Sequence, residues 1–290
     1  MGNLKEIRTR ISSVTSTKKI TSAMKMVSAS KFKKSQNVLL KYKPFYDHYQ
    51  SSLESVIAHN GIIDNKYCEV RKEISNIGLV VISSNSSMCG SFNQNVIKKT
   101  AEVHYQLSMK YPKAKIHILC IGKKATDIFS KKGLEVKVLS SVVLDKPNIL
   151  LTKKIFDELS EMFLKREFDI IELIFNSFKN AAIQIQTESS FLPHTLNSTE
   201  NNGHADLIIE PSSDIFIQKT LPKLLLYKIH AAILDSTTSE HGARMTAMHQ
   251  ATDNATDLLS NLTLQYNKER QAAITNEILE IVSGANALNG

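Results

Sequence analysis

The chain has 290 residues, enough for one or two domains with a real core, and its 42% hydrophobic and 22% charged content is ordinary for a folded protein. Three cysteines, Cys68, Cys89 and Cys120, form no Cys-x-x-Cys pair and exclude a disulfide framework, and none of the nine histidines stands at metal-ligand spacing from another ligand. The net charge of +8 is uneven, because residues 1–50 hold eleven Lys and Arg against only Glu6 and Asp47, so a basic segment leads a near-neutral body and calls for an acidic partner surface.

Leu4, Ile7, Ile11 and Val14 recur at steps of three and four, the seam of an amphipathic helix. After the polar stretch 16–19 the apolar set resumes at Ile20, Met24 and Val27, and Phe32, Leu39, Tyr42, Tyr46, Tyr49, Leu53 and Val56 extend it. No proline or glycine falls between Leu4 and Tyr42, so one long helix is predicted, bent at Pro44 and stopped at Gly61.

The middle of the chain alternates. Ile77–Ser83, Lys115–Ile121, Leu134–Ser140 and Phe168–Phe175 are β-rich runs, separated by helical patterns at Asn93–Met109, Lys124–Lys132 and Ile149–Lys165. Such alternation predicts βαβ units and a mainly parallel sheet. In Ala182–Glu188, Ile183 and Ile185 alternate with Gln184 and Gln186, which suits an edge or antiparallel strand. Pro193–Gly203 is polar and turn-rich and predicts a loop, and Asp206–Pro211 a short link.

From Lys223 to Val282 there is no proline and Gly242 is the one glycine. Met245, Met248, Thr252, Ala255, Leu259, Leu262 and Tyr266 form a heptad-like seam. A continuous helix over that span is about 90 Å long at 1.5 Å per residue, about three times the width of a small domain, so it must project and find a partner. The N-terminal helix is that partner, in an antiparallel pair. Small seam residues, Thr252 and Ala255, predict a slim coil. The expected divisions are residues 1–60 as N-terminal coil helix, 75–211 as central α/β domain and 212–290 as C-terminal coil helix.

Four constellations bear on chemistry. Residues Ser83–Ser91 end the first strand, where open α/β sheets bind ligands, but lack the glycine spacing of a dinucleotide or phosphate loop. A turn packed on the coil is the simpler reading. Cys89 as a nucleophile needs a base, and nothing in the sequence ties His104 or His117 to it. Gly122-Lys123-Lys124 could hold an anion at a helix start, but a solvated basic turn is the favoured reading. Lys31, Lys33, Lys34, Lys41 and Lys43 allow a nucleic-acid reading, yet no docking motif accompanies them and the aromatics fall on the apolar seam.

The two ends carry longer motifs. Lys5-Glu-Ile-Arg-Thr-Arg-Ile-Ser-Ser-Val and Thr17-Lys-Lys-Ile-Thr-Ser-Ala-Met-Lys-Met-Val-Ser-Ala-Ser-Lys open the chain, and Ser239-Glu-His-Gly-Ala-Arg-Met-Thr-Ala-Met-His-Gln-Ala-Thr-Asp-Asn-Ala and Tyr266-Asn-Lys-Glu-Arg-Gln-Ala-Ala-Ile-Thr-Asn-Glu-Ile-Leu-Glu-Ile-Val-Ser-Gly-Ala close it. With Val80–Gly90 and Ile208–Pro211, these resemble the gamma subunits of F-type rotary ATP synthases over essentially the full length. The middle departs from that pattern. Asn85-Ser-Ser-Met-Cys-Gly-Ser stands where the family often has Asp-Arg-Gly-Leu-Cys-Gly-Gly, and Gly122-Lys-Lys-Ala where it has Gly-Arg-Lys-Gly. The regulatory cysteine insertion of chloroplast members is absent, so the resemblance is to the bacterial type.

The resemblance implies an α/β fold with long terminal helices: an antiparallel two-helix coiled coil plus a central Rossmann-like domain. It implies a central-stalk rotor that is not itself an enzyme and has no cofactor, metal or catalytic residue. The partners it implies are three alpha and three beta subunits, the epsilon subunit and the membrane c-ring, with no nucleic acid and no direct membrane insertion. The expected place is the cytoplasmic face of the bacterial cell membrane, as a peripheral part of the synthase. Met24, Lys25, Arg244, Arg270, Gln271, Thr275 and Glu280 match family positions implicated in contact or torque coupling with beta.

Overall fold

The computed structural model describes residues 2–60, 65–194, 209–210 and 212–288. The expected stop at Gly61, most of the 193–203 loop and most of the 206–211 link lie outside the described residues. The chain divides into two compact units, Met1–Ser28 with Met245–Gly290, and Ala29–Arg244, and both divisions fall inside the long helices.

Helix α1 is Gly2–Asn60 and α6 is Ser213–Leu288, with 59 and 76 residues. Helix α1 continues through Pro44. Helix α6 begins ten residues before Lys223 and runs through Pro222 near its start. Two features support that early turn. The Ser212 hydroxyl accepts the Ile215 N–H at 3.4 Å as a cap. Ile217, Leu221, Leu224 and Leu225 on either side of Pro222 are fully buried, which offsets the lost backbone bond.

In the unit of residues 29–244, β1 (Asn76–Ile82), α2 (Phe92–Lys110), β2 (Lys115–Ile121), α3 (Lys123–Lys131), β3 (Val136–Ser140), α4 (Val142–Asp145), α5 (Ile149–Leu164), β4 (Ile170–Phe178) and β5 (Gln184–Leu192) build one sheet of order β3-β2-β1-β4-β5. The first four strands are parallel, and β5 is an antiparallel edge strand on β4, as its alternation predicts. From Ile77 onward strand β1 is buried on both faces, so that stretch carries no polar side chain. Its Leu79 and Val81 face the core with α2 and α3, while Val80 and Ile82 face the core with α5, the later part of α1 and the first turns of α6. Because β2 and β4 lie on opposite sides of β1, the chain reverses direction there, and the crevice beyond the carboxyl ends of β1 and β4 is where a sheet of this kind takes its ligand.

Candidate coupling surfaces

In the unit of residues 1–28 and 245–290, contacts run from Arg8–Tyr266 through Thr21–Thr252 to Lys25–His249. The α1 number rises as the α6 number falls, which is antiparallel pairing. On α6 the predicted seam holds: Met248, Ala255 and Leu262 are buried, and Met245, Thr252, Leu259 and Tyr266 half-buried. On α1 it needs correction. Ile20 and Val27, expected in the seam, are 59% and 57% exposed, while Thr21 and Ser28 are buried. Alternate steps of four and three from Val14 lead to Lys18, Thr21, Lys25 and Ser28, so the helical period overrides hydrophobicity. Opposite Thr252 the seam accepts a small hydroxyl side chain, and the Thr252 hydroxyl donates to that of Thr21 at 2.9 Å. Ile20, Met26 and Val27 are left on the outward face.

Of the two expected coupling residues on α1, Met24 is half-buried, and Lys25 is half-buried with its Nζ 3.5 Å from His249 Nδ1. Helix α6 runs on past Tyr266, the partner of Arg8. From Arg270 to Asn286 every residue is exposed, including Arg270, Gln271, Thr275 and Glu280. This segment is not polar: Ile274, Ile278, Leu279, Ile281 and Val282 are 48–67% exposed. A helix end that displays five large apolar side chains to solvent is an interaction surface.

The remaining expected residue, Arg244, is different. It is buried in the unit of residues 29–244, paired with Glu240 at 2.7 Å. Its other guanidinium nitrogen donates to the Ser86 carbonyl at 3.2 Å and hydroxyl at 3.1 Å, and to the Ser87 carbonyl at 3.4 Å. The loop after β1 is therefore a turn packed on α6. Burial pushes the Glu240 carboxyl up from its ordinary value, and Arg244 pulls it back.

That packing disposes of the other chemistry. Cys89 is buried, its thiol raised by burial against the pull of Arg244, and its neighbours are Asn93 Nδ2 at 3.2 Å and Ser84 Oγ at 3.9 Å. His117 packs edge-on against Phe168 and His104 sits on α2, so neither is placed as its base. At the start of α3 the donors an anion would use are taken: Lys123 N–H by Asn85 Oδ1, Lys124 N–H by the Ser84 carbonyl and Ala125 N–H by Ser83 Oγ. Gly122 has φ +110°, and a Cβ there would lie 2.6 Å from the Ser83 carbonyl, so this glycine serves a close backbone approach. Among the described residues no group of His, Cys, Asp or Glu has the form of a metal site, and no helix is long and apolar enough to cross a membrane.

Two residues escaped the sequence reading. Asp235 is buried on α6, accepting the Phe178 N–H at 3.3 Å and the Ser177 hydroxyl at 3.4 Å, and Glu240 braces Arg244. Their signal was a run of polar residues, Asp235 to Glu240, inside an otherwise apolar stretch of helix.

A family model described as ATP synthase matches residues 3–288. The chain is 45% identical over 291 residues to the ATP synthase gamma chain of Christiangramia forsetii and 46% over 292 to that of Flavobacterium johnsoniae, covering 100% of each chain in both cases. Among solved structures it resembles a chain of the Euglena gracilis mitochondrial ATP synthase (OSCP/F1/c-ring, rotational state 3), with TM-score 0.68, 18% identity and coverage of 99% and 95%. A chain of the rotor of the same synthase matches with TM-score 0.65, 16% identity and coverage of 94% and 99%.

Proposed function

This chain belongs to the ATP synthase gamma-chain family, and from that premise we propose that it turns as the central shaft of a rotary ATP synthase. It is a non-catalytic subunit, and ATP is made or hydrolysed on beta subunits. Its partners are three alpha and three beta subunits around the coil, with the epsilon subunit and the c-ring at the foot. Its place is the cytoplasmic face of a bacterial membrane, held there by the complex. Full-length identity to gamma chains leaves the nucleic-acid adaptor without support.

One observation carries the reading: the apolar helix end of residues 270–286 has every residue exposed. Such a segment gains by enclosure in other chains. Arg270, Gln271, Thr275 and Glu280 there, with Met24 and Lys25 on the coil, present different side chains in different directions. Each surrounding beta subunit thus meets a different face and is biased to a different conformation. Rotation permutes the biases, and for binding free energies the coupling is reciprocal. A slim seam of threonine, serine and alanine keeps the shaft narrow enough to turn within a sleeve. The exposed lysines of α1, including Lys31, Lys33, Lys34 and Lys41, face acidic protein surfaces.

The test is reconstitution. Purified chain mixed with alpha and beta subunits should yield a complex with one copy of this chain to three of each, and an ATPase activity absent from the separate parts. No complex, or activity independent of the chain, would contradict the reading.

A further inference from the structure

The crevice beyond the carboxyl ends of β1 and β4, the ligand position of a doubly wound sheet, is filled here by the chain's own α6. Residues Ala232–Glu240 are buried without a break, so this helix stretch is enclosed on all sides. Yet six of its consecutive residues, Asp235, Ser236, Thr237, Thr238, Ser239 and Glu240, are polar, and Gly242 follows, where a Cβ would lie 3.3 Å from the Ala181 backbone. Small side chains let the walls approach closely, but give little apolar interlocking to stop the helix rolling or sliding. Directional bonds must do that.

They come from two sides. The Asp235 carboxylate takes a backbone N–H and a hydroxyl at the end of β4, while Arg244 gives its protons to carbonyls and a hydroxyl in the loop after β1. The two residues are nine positions apart, about two and a half turns, so they leave the helix in opposite directions. Their demands are opposite too, since an acceptor meets donors and a donor meets acceptors. A slip of one residue turns the helix by about 100° and strands both charges in a dry site. Glu240 holds the guanidinium at 2.7 Å, and Lys43 lies within electrostatic reach of Asp235.

We propose that Asp235 and Arg244, the latter braced by Glu240, form a two-sided polar clamp that fixes the rotation and register of α6 in the sheet crevice, so that torque passes between sheet and helix without slip. This rests on the rotor reading. It makes Arg244 a positioning residue that acts inside this chain, by holding the Ser86–Ser87 loop to α6.

The experiment uses the full chain in the assembled, membrane-bound synthase, with Cys68→Ser as background because Cys89 and Cys120 are buried. Arg244→Met should permit assembly and ATP hydrolysis but lower the ions moved per ATP several-fold. In the isolated chain, amide exchange of the 84–88 loop should quicken about tenfold or more. The double variant Ser87→Cys/Arg244→Cys should show the same loss, and joining the two thiols before assembly with a bismaleimide as long as an arginine side chain should restore the ratio. An unchanged ratio in Arg244→Met overturns the clamp. So does a loss that the cross-link does not repair, because Arg244 then acts on another subunit. Should Arg244→Met not fold, Glu240→Gln decides, since it keeps the side-chain volume while removing the charge that braces Arg244: an intermediate loss supports the clamp and none contradicts it. Failure of the unaltered chain to assemble would instead count against the rotor reading.

Discussion

The Asp169 carboxylate accepts the backbone N–H of Ser75 at 2.7 Å and of Asn76 at 3.0 Å, and pairs with Arg71 at 2.9 Å. Burial alone would raise its pKa, but these bonds outweigh it and hold the group below its ordinary value. Arg71 in turn donates to the Phe168 and Phe163 carbonyls and lies over the Phe163 ring. Replacing Asp169 by Ala leaves a buried guanidinium and two N–H groups without their partner. A loss of about 3–5 kcal/mol is expected in denaturant unfolding of the isolated chain. His230 behaves differently with pH. Burial lowers its pKa from near 6.5 to about 4, and its Nδ1 lies 2.8 Å from Thr152 Oγ1. The folded state therefore holds it neutral where the unfolded chain binds a proton. Its contribution is whole above pH 6.5 and falls as pH drops toward 4. The Tm of His230→Gln, measured from pH 7 to pH 4, should fall less steeply than that of the unaltered chain. His194 and His241, also lowered to about 4 by burial, keep part of the slope. Nothing in the sequence marks Asp169 or His230, because their roles come from partners 78 to 98 positions away.

Among the elements, strands were the most legible. The run Lys115–Ile121 forms β2 residue for residue, and the alternation in Ala182–Glu188 foretold the antiparallel edge although β5 lies two to four residues later. In α6, Pro222 lies inside the helix, and the buried leucines around it hold that turn in place. The α1 seam was misplaced by one residue at Ile20 and Val27, since apolar character was followed where periodicity ruled. That correction has a measurable side. Thr21→Val or Thr252→Val alone breaks the hydroxyl–hydroxyl bond but leaves the other hydroxyl its own-helix carbonyl, that of Met248 or Lys18. Each should therefore cost about 1 kcal/mol or less, and the double change should cost less than the sum of the two because they share one bond. Chemical denaturation of the four proteins gives the cycle. At Gly242 a larger side chain meets both Phe32 and the Ala181 backbone within 3.3 Å, so Gly242→Val should destabilise the unit of residues 29–244 by about 1–3 kcal/mol.

For the molecule as a whole, the coil and the sheet were foreseeable from periodicity, and the identity of the shaft from the motifs at the two ends. The proposed coupling role of Arg270, Gln271, Thr275 and Glu280 rests on resemblance, because exposed polar positions on a helix look alike until something encloses them. Since these residues are exposed in the chain alone, deleting everything after Glu269 should change its unfolding free energy by less than about 0.5 kcal/mol. The same deletion should lower the thermal stability of the assembled complex, which a melt of both preparations would reveal. Turning is the central claim, and it can be watched. With the alpha–beta ring fixed to a surface and a bead on Lys113→Cys in the Cys68→Ser background, ATP should drive the bead one way round, pausing at three angles set by three beta subunits. A bead that stays still or wanders without direction while ATP is hydrolysed would contradict it.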